Sequence, residues 1–141
     1  TSTETNTSTD TSTEAPTDTS LSGVKQFLDA KSYQTWASES SIHASSVHGQ
    51  VKSYFNSTLM TTLRARTSPH AVGSVSVKEI YNSSGTLIGH AFMQKVSAGT
   101  GGSSWLWYEG VSSSTPTFGE GHSSCVSCHS LGLDYVRSSA P

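Results

Sequence analysis

Two thiols and an imidazole stand at fixed spacing near the end of the chain, in Cys125-Val126-Ser127-Cys128-His129. C-x-x-C-H is the pattern of covalent c-type haem attachment. Thiols separated by two residues can add to the two vinyl groups on one edge of a porphyrin. The next residue, His129, then lies beneath the ring with a nitrogen aimed at the iron, as a proximal axial ligand. The chain has only two cysteines, both in this motif, so neither is left for a disulfide elsewhere. One haem c per chain is expected, attached at Cys125 and Cys128 and ligated by His129.

Three other chemistries use parts of the motif. A thioredoxin-like pair would want C-x-x-C at a helix N-terminus just after a strand, inside a βαβ unit. Residues 111–124, rich in Ser, Gly, Pro and Thr, argue against that. A zinc site could use both cysteines and a histidine, but structural zinc usually pairs two ligand clusters and no second one exists. A local disulfide would not need His129. The remaining histidines, His43, His48, His70, His90 and His122, are spread over loops and strands without metal-ligand spacing, and each reads first as a surface or hydrogen-bonding residue.

The elements that must position this chemistry follow from periodicity. Leu21, Val24, Phe27 and Leu28 predict an amphipathic helix over 21–31 with Ser20 as N-cap, and Tyr33 and Trp36 continue its face. The run 38–46 is Ser-rich and reads as a loop. Val47–Asn56 reads as a strand, and Ser57–Ala65 as a short helix closed by Pro69. Gly73–Tyr81 and Leu87–Val96, joined by a turn at Ser83-Ser84-Gly85, read as a hairpin. A Gly-rich turn at 99–102 leads to an aromatic strand, Trp105–Glu109. The fold class expected is α+β: mainly an antiparallel sheet with short flanking helices to one side and a C-terminal haem-attachment segment. In the strand around Lys78, Val75, Val77 and Glu79 share one face and Ser74, Ser76, Lys78 and Ile80 the other.

Length and composition bound the rest. The 141 residues suit one domain, with 33% hydrophobic and 13% charged residues. No stretch approaches the ~20 apolar residues of a membrane span, and no signal peptide is seen, which suggests a processed form. Glu4, Asp10, Glu14 and Asp18 make residues 1–20 acidic, with every Lys and Arg further on. The slightly basic remainder is too weakly charged to suggest nucleic acid binding. Residues 1–20 form a low-complexity tail, with Thr at every odd position from Thr1 to Thr13, and residues 21–141 the domain. The tail reads as a solvated tether, lipidated or glycosylated, or as an extended strand donated to a neighbouring subunit's sheet edge. Asn6, Asn56 and Asn82 begin matches to the N-glycosylation sequon, as chance predicts in a Ser/Thr-rich chain.

Short matches in order over residues 33–137 carry a resemblance. They are Tyr33 and Trp36; His48-Gly49-Gln50-Val51-Lys52-Ser53-Tyr54-Phe55-Asn56; Gly73-Ser74-Val75-Ser76-Val77-Lys78-Glu79; Phe92-Met93-Gln94-Lys95; Trp105-Leu106-Trp107-Tyr108; and C-V-S-C-H with Asp134-Tyr135-Val136. With its haem motif at the C-terminal end, the chain resembles the cytochrome P-460 and cytochrome c′-β group of β-sheet monohaem c-type cytochromes. The resemblance implies an antiparallel sheet, a homo-oligomer and a five-coordinate iron with an open distal side. It also implies a nitrogen-oxide or hydroxylamine substrate, and in the enzymes a strand lysine bonded to the porphyrin edge; Lys78 matches that position, and reads first as a strand lysine paired with Glu79 or solvent. The chain is short between Met93 and Trp105, and residues 94–104 hold no acid, where hydroxylamine-oxidising members carry a distal glutamate. Weak or absent hydroxylamine turnover is expected. The alternative role is a six-coordinate electron carrier with a redox partner protein, assembled through its tail at the cell surface. His48, at the family's H-G position, and His70, just before the V-K-E strand, are then the first candidates for the sixth ligand. Either role implies export to a bacterial periplasm or cell surface, where haem c is attached.

Overall fold

Alternation along Val75–Tyr81 is the key to the architecture, because it turns Val75 and Val77 to one face of a sheet and Ser76 and Lys78 to the other. The computed structural model describes residues 14–141; the tail expectations for residues 1–13, and Asn6, lie outside the described residues. Seven antiparallel strands form one sheet: β1 (Ala37–Ser38), β2 (His43–Ser45), β3 (Gly49–Phe55), β4 (Val75–Tyr81), β5 (Leu87–Lys95), β6 (Trp105–Val111) and β7 (Thr117–Glu120). From β3 to β7 they run as a meander, each pairing with the next. β1 and β2 share the outer edge of β3 as an interrupted strand, β1 opposite Phe55 and Tyr54, β2 opposite Val51, Gln50 and Gly49. The expected α+β class, a mainly antiparallel sheet with short helices, is what forms.

Among the described residues, three α-helices of about two turns or more accompany the sheet. In α1 (Leu21–Ala30) Ser20 caps the N-terminus by accepting the Gly23 N–H at 3.2 Å. Asn56 caps α2 (Ser57–Ala65) by accepting the Leu59 N–H at 3.0 Å. That helix stops at Arg66, whose left-handed φ of 56° closes it before Pro69 is reached. The third, α3 (Ser123–His129), contains the C-x-x-C-H motif.

The helices occupy both faces of the sheet rather than one, because adjacent residues on each strand point opposite ways. Val24, Phe27 and Leu28 of α1 pack with Tyr54, Val77, Phe92 and Tyr108. Leu59, Met60 and Leu63 of α2 pack with Phe55, Met93, Trp105 and Trp107, and Val136 and Cys125 join that second core. Three strands go beyond those expected. β1 and β2 lie in the Ser-rich run, where Glu39 bridges the gap by accepting the Ser53 N–H through its carboxylate at 2.7 Å. β7 is held to β6 by backbone pairing opposite Leu106 to Glu109.

Residues 14–20, grouped with the tail by composition, lie against the domain. Asn56 donates to the Glu14 carbonyl at 2.8 Å, Ser57 donates to the Glu14 carboxylate at 2.7 Å, and Pro16 is buried. Asn56 is itself buried and spends its amide on the Glu14 and Gly73 carbonyls, so its sequon is a chance match. No helix among the described residues is long and apolar enough to cross a membrane.

Candidate functional site

On the α2 face, two rows of side chains run across the strands. Phe55, Ser76, Met93 and Trp107 form one, and Ser53, Lys78, Ala91 and Glu109 the next. α2 covers the Phe55 end of the first row. Beyond it opens a cavity of about 490 Å³, whose walls include Lys78, Ala91, Met93, Trp107, Glu109, His48, Cys125, Cys128 and His129. Its volume is that of a cofactor or small-molecule site.

β7 and the turn after it deliver the motif. The His122 carbonyl accepts the Cys125 and Val126 N–H groups at 3.0 Å, starting α3. Val126 packs on the second core and against Gly102, where a Cβ would collide with its side chain. That contact turns Cys125, Cys128 and His129 to the cavity. Both thiols are half-buried and free. Burial pushes the Cys125 thiol above its ordinary value, the opposite of an activated redox thiolate. The local arrangement is strand, turn, helix, contrary to the expectation for residues 111–124. The thioredoxin reading fails on topology instead: β6 and β7 are an antiparallel pair, with no parallel crossover. Among the described residues no group of three or more His, Cys, Asp and Glu is placed to hold a metal ion, so the zinc reading finds no ligand set there.

His129 is oriented by the C-terminal segment packed beside it. Its Nδ1 lies 2.8 Å from the Tyr135 carbonyl oxygen, which can only accept, so Nδ1 carries the proton and Nε2 keeps its lone pair. The ring stands edge-on to Trp107 with centroids 4.9 Å apart. Burial holds its pKa below the usual histidine value, partly offset by the Tyr135 bond. Asp134 and Tyr135 present that carbonyl from left-handed backbone, with φ of 44° and 70°. Asp134 is anchored by Lys95 in an ion pair of 2.5 Å with both side chains fully buried. Asp134 also accepts the His70 N–H at 2.8 Å, and Lys95 donates to the Gly99 carbonyl at 2.6 Å.

Lys78 faces the cavity while Val75 and Val77 pack under α1, as alternation requires. Burial lowers its pKa, against which Glu39 pulls upward. Its neighbour Glu79 points the other way, into a buried cluster where Tyr33, Gln34, Tyr54 and Tyr81 all donate to its carboxylate. Burial pushes Glu79 up, but those four bonds prevail and hold it below the usual carboxylate range. Tyr54 in turn is pushed up to about 12, by burial first.

The two candidate sixth ligands part company. His70 is buried away from the cavity, its Nδ1 at 2.6 Å from the Thr62 hydroxyl and its Nε2 at 3.1 Å from the Leu133 carbonyl. With both nitrogens engaged, it has none for a metal, and the structure does not bring it to the site. His48 lines the cavity, and its Nδ1 meets Glu109 Oε2 at 2.9 Å. That bond, more than burial opposes it, holds Glu109 below the usual carboxylate range. Glu109 is a cavity acid that sequence reasoning missed. Its only signal was alternation, which puts it on the same face as Trp107. Comparison with protein-family models, curated proteins and solved structures finds no match to this chain.

Proposed function

We propose that the cavity holds one covalently attached haem c, bound through thioethers at Cys125 and Cys128 and ligated by His129. The observation that carries this reading is the tautomer of His129: Nδ1 is spent on the Tyr135 carbonyl, and Nε2 is left for a metal in a cavity that both thiols also line. Metal-bound histidines characteristically donate their other nitrogen to a carbonyl or carboxylate in this way. Met93, Trp107 and Val136 supply apolar wall for a porphyrin face. The haem would supply one-electron chemistry and a site for diatomic or nitrogen-oxide ligands. The role that matches the resemblance to cytochromes P-460 and c′-β is handling of nitrogen oxides or small gases after export to a bacterial periplasm or cell surface. Lys78 stands where such proteins bond the porphyrin edge, with its amine made less costly to deprotonate by burial. A second reading, an electron carrier serving a redox partner protein, is favoured by one observation, the presence of His48 in the same cavity.

The test is production in a host that attaches haem c. The pigment should survive denaturation and acid-acetone extraction, and intact mass should exceed the polypeptide by one haem. Replacing Cys125 and Cys128 by Ala should make the colour extractable. A colourless protein carrying stoichiometric zinc would end this reading.

A further inference from the structure

Five histidines besides His129 are present, and hydrogen bonding sorts them. His43 also lines the cavity, but its Nε2 meets Glu39 at 3.0 Å and its Nδ1 the Ala44 carbonyl at 3.2 Å. His70 is engaged at both nitrogens. His90 lies on the α1 face, 2.8 Å from the Tyr33 hydroxyl, and His122 pairs with Ser124. Only His48 repeats the pattern of His129. Its Nδ1 is 2.9 Å from a carboxylate oxygen of Glu109, and among the described residues its Nε2 has no hydrogen-bond partner.

The distance between the two rings is the second observation. Their centroids are 6.5 Å apart with planes tilted by 54°. Two imidazoles on opposite sides of one metal, each bonded at ~2.0–2.1 Å, have centroids roughly 6–6.5 Å apart. His129 and His48 thus have the separation of a ligand pair, and each has its Nδ1 engaged by an oxygen acceptor.

The placement of His48 has local causes. It ends the turn between β2 and β3, where Ser45 Oγ accepts the His48 N–H at 3.2 Å. Gly49 comes next with a φ of 87°, which a side-chain-bearing residue rarely adopts. This kink carries His48 over the sheet, so that it meets Glu109 on β6 although β3 and β6 are separated by two strands.

We propose that His48 is the second axial ligand of the haem held by Cys125, Cys128 and His129, with Glu109 as the positioning residue that fixes its tautomer. The inference rests on the haem reading and decides between its two roles. With both axial positions filled, a bound haem iron would be low-spin, and an external ligand would bind only by displacing His48. The tip of the same turn, Val47, is 61% exposed, so displacement needs movement of a surface turn and not of the sheet. That makes electron transfer the resting role and gives gas binding a conformational barrier.

The experiment is the optical and electron paramagnetic resonance spectrum of the haem-loaded full chain. Wild type should be low-spin in both oxidation states. His48→Gly should keep its covalent pigment but become high-spin, and millimolar imidazole should restore the low-spin spectrum. Glu109→Gln should remain low-spin but yield to nitric oxide at least several-fold faster than wild type. A high-spin wild-type spectrum overturns the proposal without any variant. So does a His48→Gly protein that stays low-spin without imidazole. Either result leaves the haem reading intact, whereas absence of covalent pigment removes that reading itself.

Discussion

Changing Lys95 to Met tests how the His129 environment is held. The methionine keeps much of the length and apolar stem but removes the charge that faces Asp134. Asp134 would then be a fully buried carboxylate with one donor left, the His70 N–H at 2.8 Å, since its Oδ1 has no partner among the described residues. Breaking a buried pair from one side costs about 3–5 kcal/mol, because a charge stays desolvated without compensation. For a domain of this size that is roughly 10–20 °C in melting temperature. Lys95→Met with Asp134→Asn removes both charges, and Asn tolerates the left-handed backbone at this position. The double variant should therefore recover more than half of the loss, a coupling that additivity forbids. Urea and thermal unfolding of the four proteins of this cycle measure it. A second readout is specific to the site: loosening Asp134 frees the Tyr135 carbonyl from His129 Nδ1, so under the haem proposal the single variant of the haem-loaded protein should shift in reduction potential and Soret band. A loss under about 1 kcal/mol, the range of exposed pairs, would refute the stability reasoning. A large loss with an unchanged potential would refute the link to His129.

Three further outcomes are expected from the same geometry. Gly102→Ala should place a methyl group into Val126 between the two cysteines, reducing haem attachment in a pigment-to-protein assay while leaving far-ultraviolet circular dichroism close to wild type. Glu79 has a native pKa below its unfolded value, so its contribution to stability is complete above the ordinary carboxylate value of ~4.3 and is lost as pH falls through the lower native value; Glu79→Gln should flatten the acid limb of the stability–pH curve, and an unchanged limb would clear Glu79 of the role. In the haem-loaded protein, Lys78→Ala decides whether the amine is bonded to the porphyrin: an unbonded lysine leaves the Soret position unchanged and the intact mass differing by the side chain alone, whereas a bonded one shifts the Soret and changes the mass difference by two hydrogens.

Features that rest on local pattern were legible in the sequence. The faces of β4, the β4–β5 hairpin, the Ser20-capped α1 and the course of α2 follow from periods of two and 3.6 and from capping chemistry, and the C-x-x-C-H motif from its spacing. What escaped lacks an apolar signature of its own. β1 and β2 are two and three residues long, and their edge is completed by a Glu39 side chain standing in for backbone, which no periodicity announces. β7 has a single large apolar residue, Phe118, and is specified by its partner strand. The site's polar couples lie far apart in the chain: His48 and Glu109 are separated by 61 residues, Lys95 and Asp134 by 39. Both require the register of the sheet before they can be seen. His70 shows the converse. Its place before the V-K-E strand made it a candidate, yet its nitrogens serve Thr62 and Leu133.

The sheet explains why the cavity beside the motif opens on the α2 face. On the α1 face, Tyr54, Val77, Phe92 and Tyr108 sit side by side across four strands, and Phe27 and Leu28 close over them. Displaced by one residue, the row on the other face is Ser53, Lys78, Ala91 and Glu109, short or charged side chains that cannot fill the space beneath a covering layer. The apolar walls there, Met93, Trp107 and Val136, lack the packing contacts that their counterparts on the α1 face have. A planar apolar group bound there would restore those contacts while leaving its edge toward Lys78 and Glu109. The period of two that builds a tight core on one face thus leaves, on the other, an open surface lined by Cys125, Cys128 and His129, whose packing the proposed haem would complete.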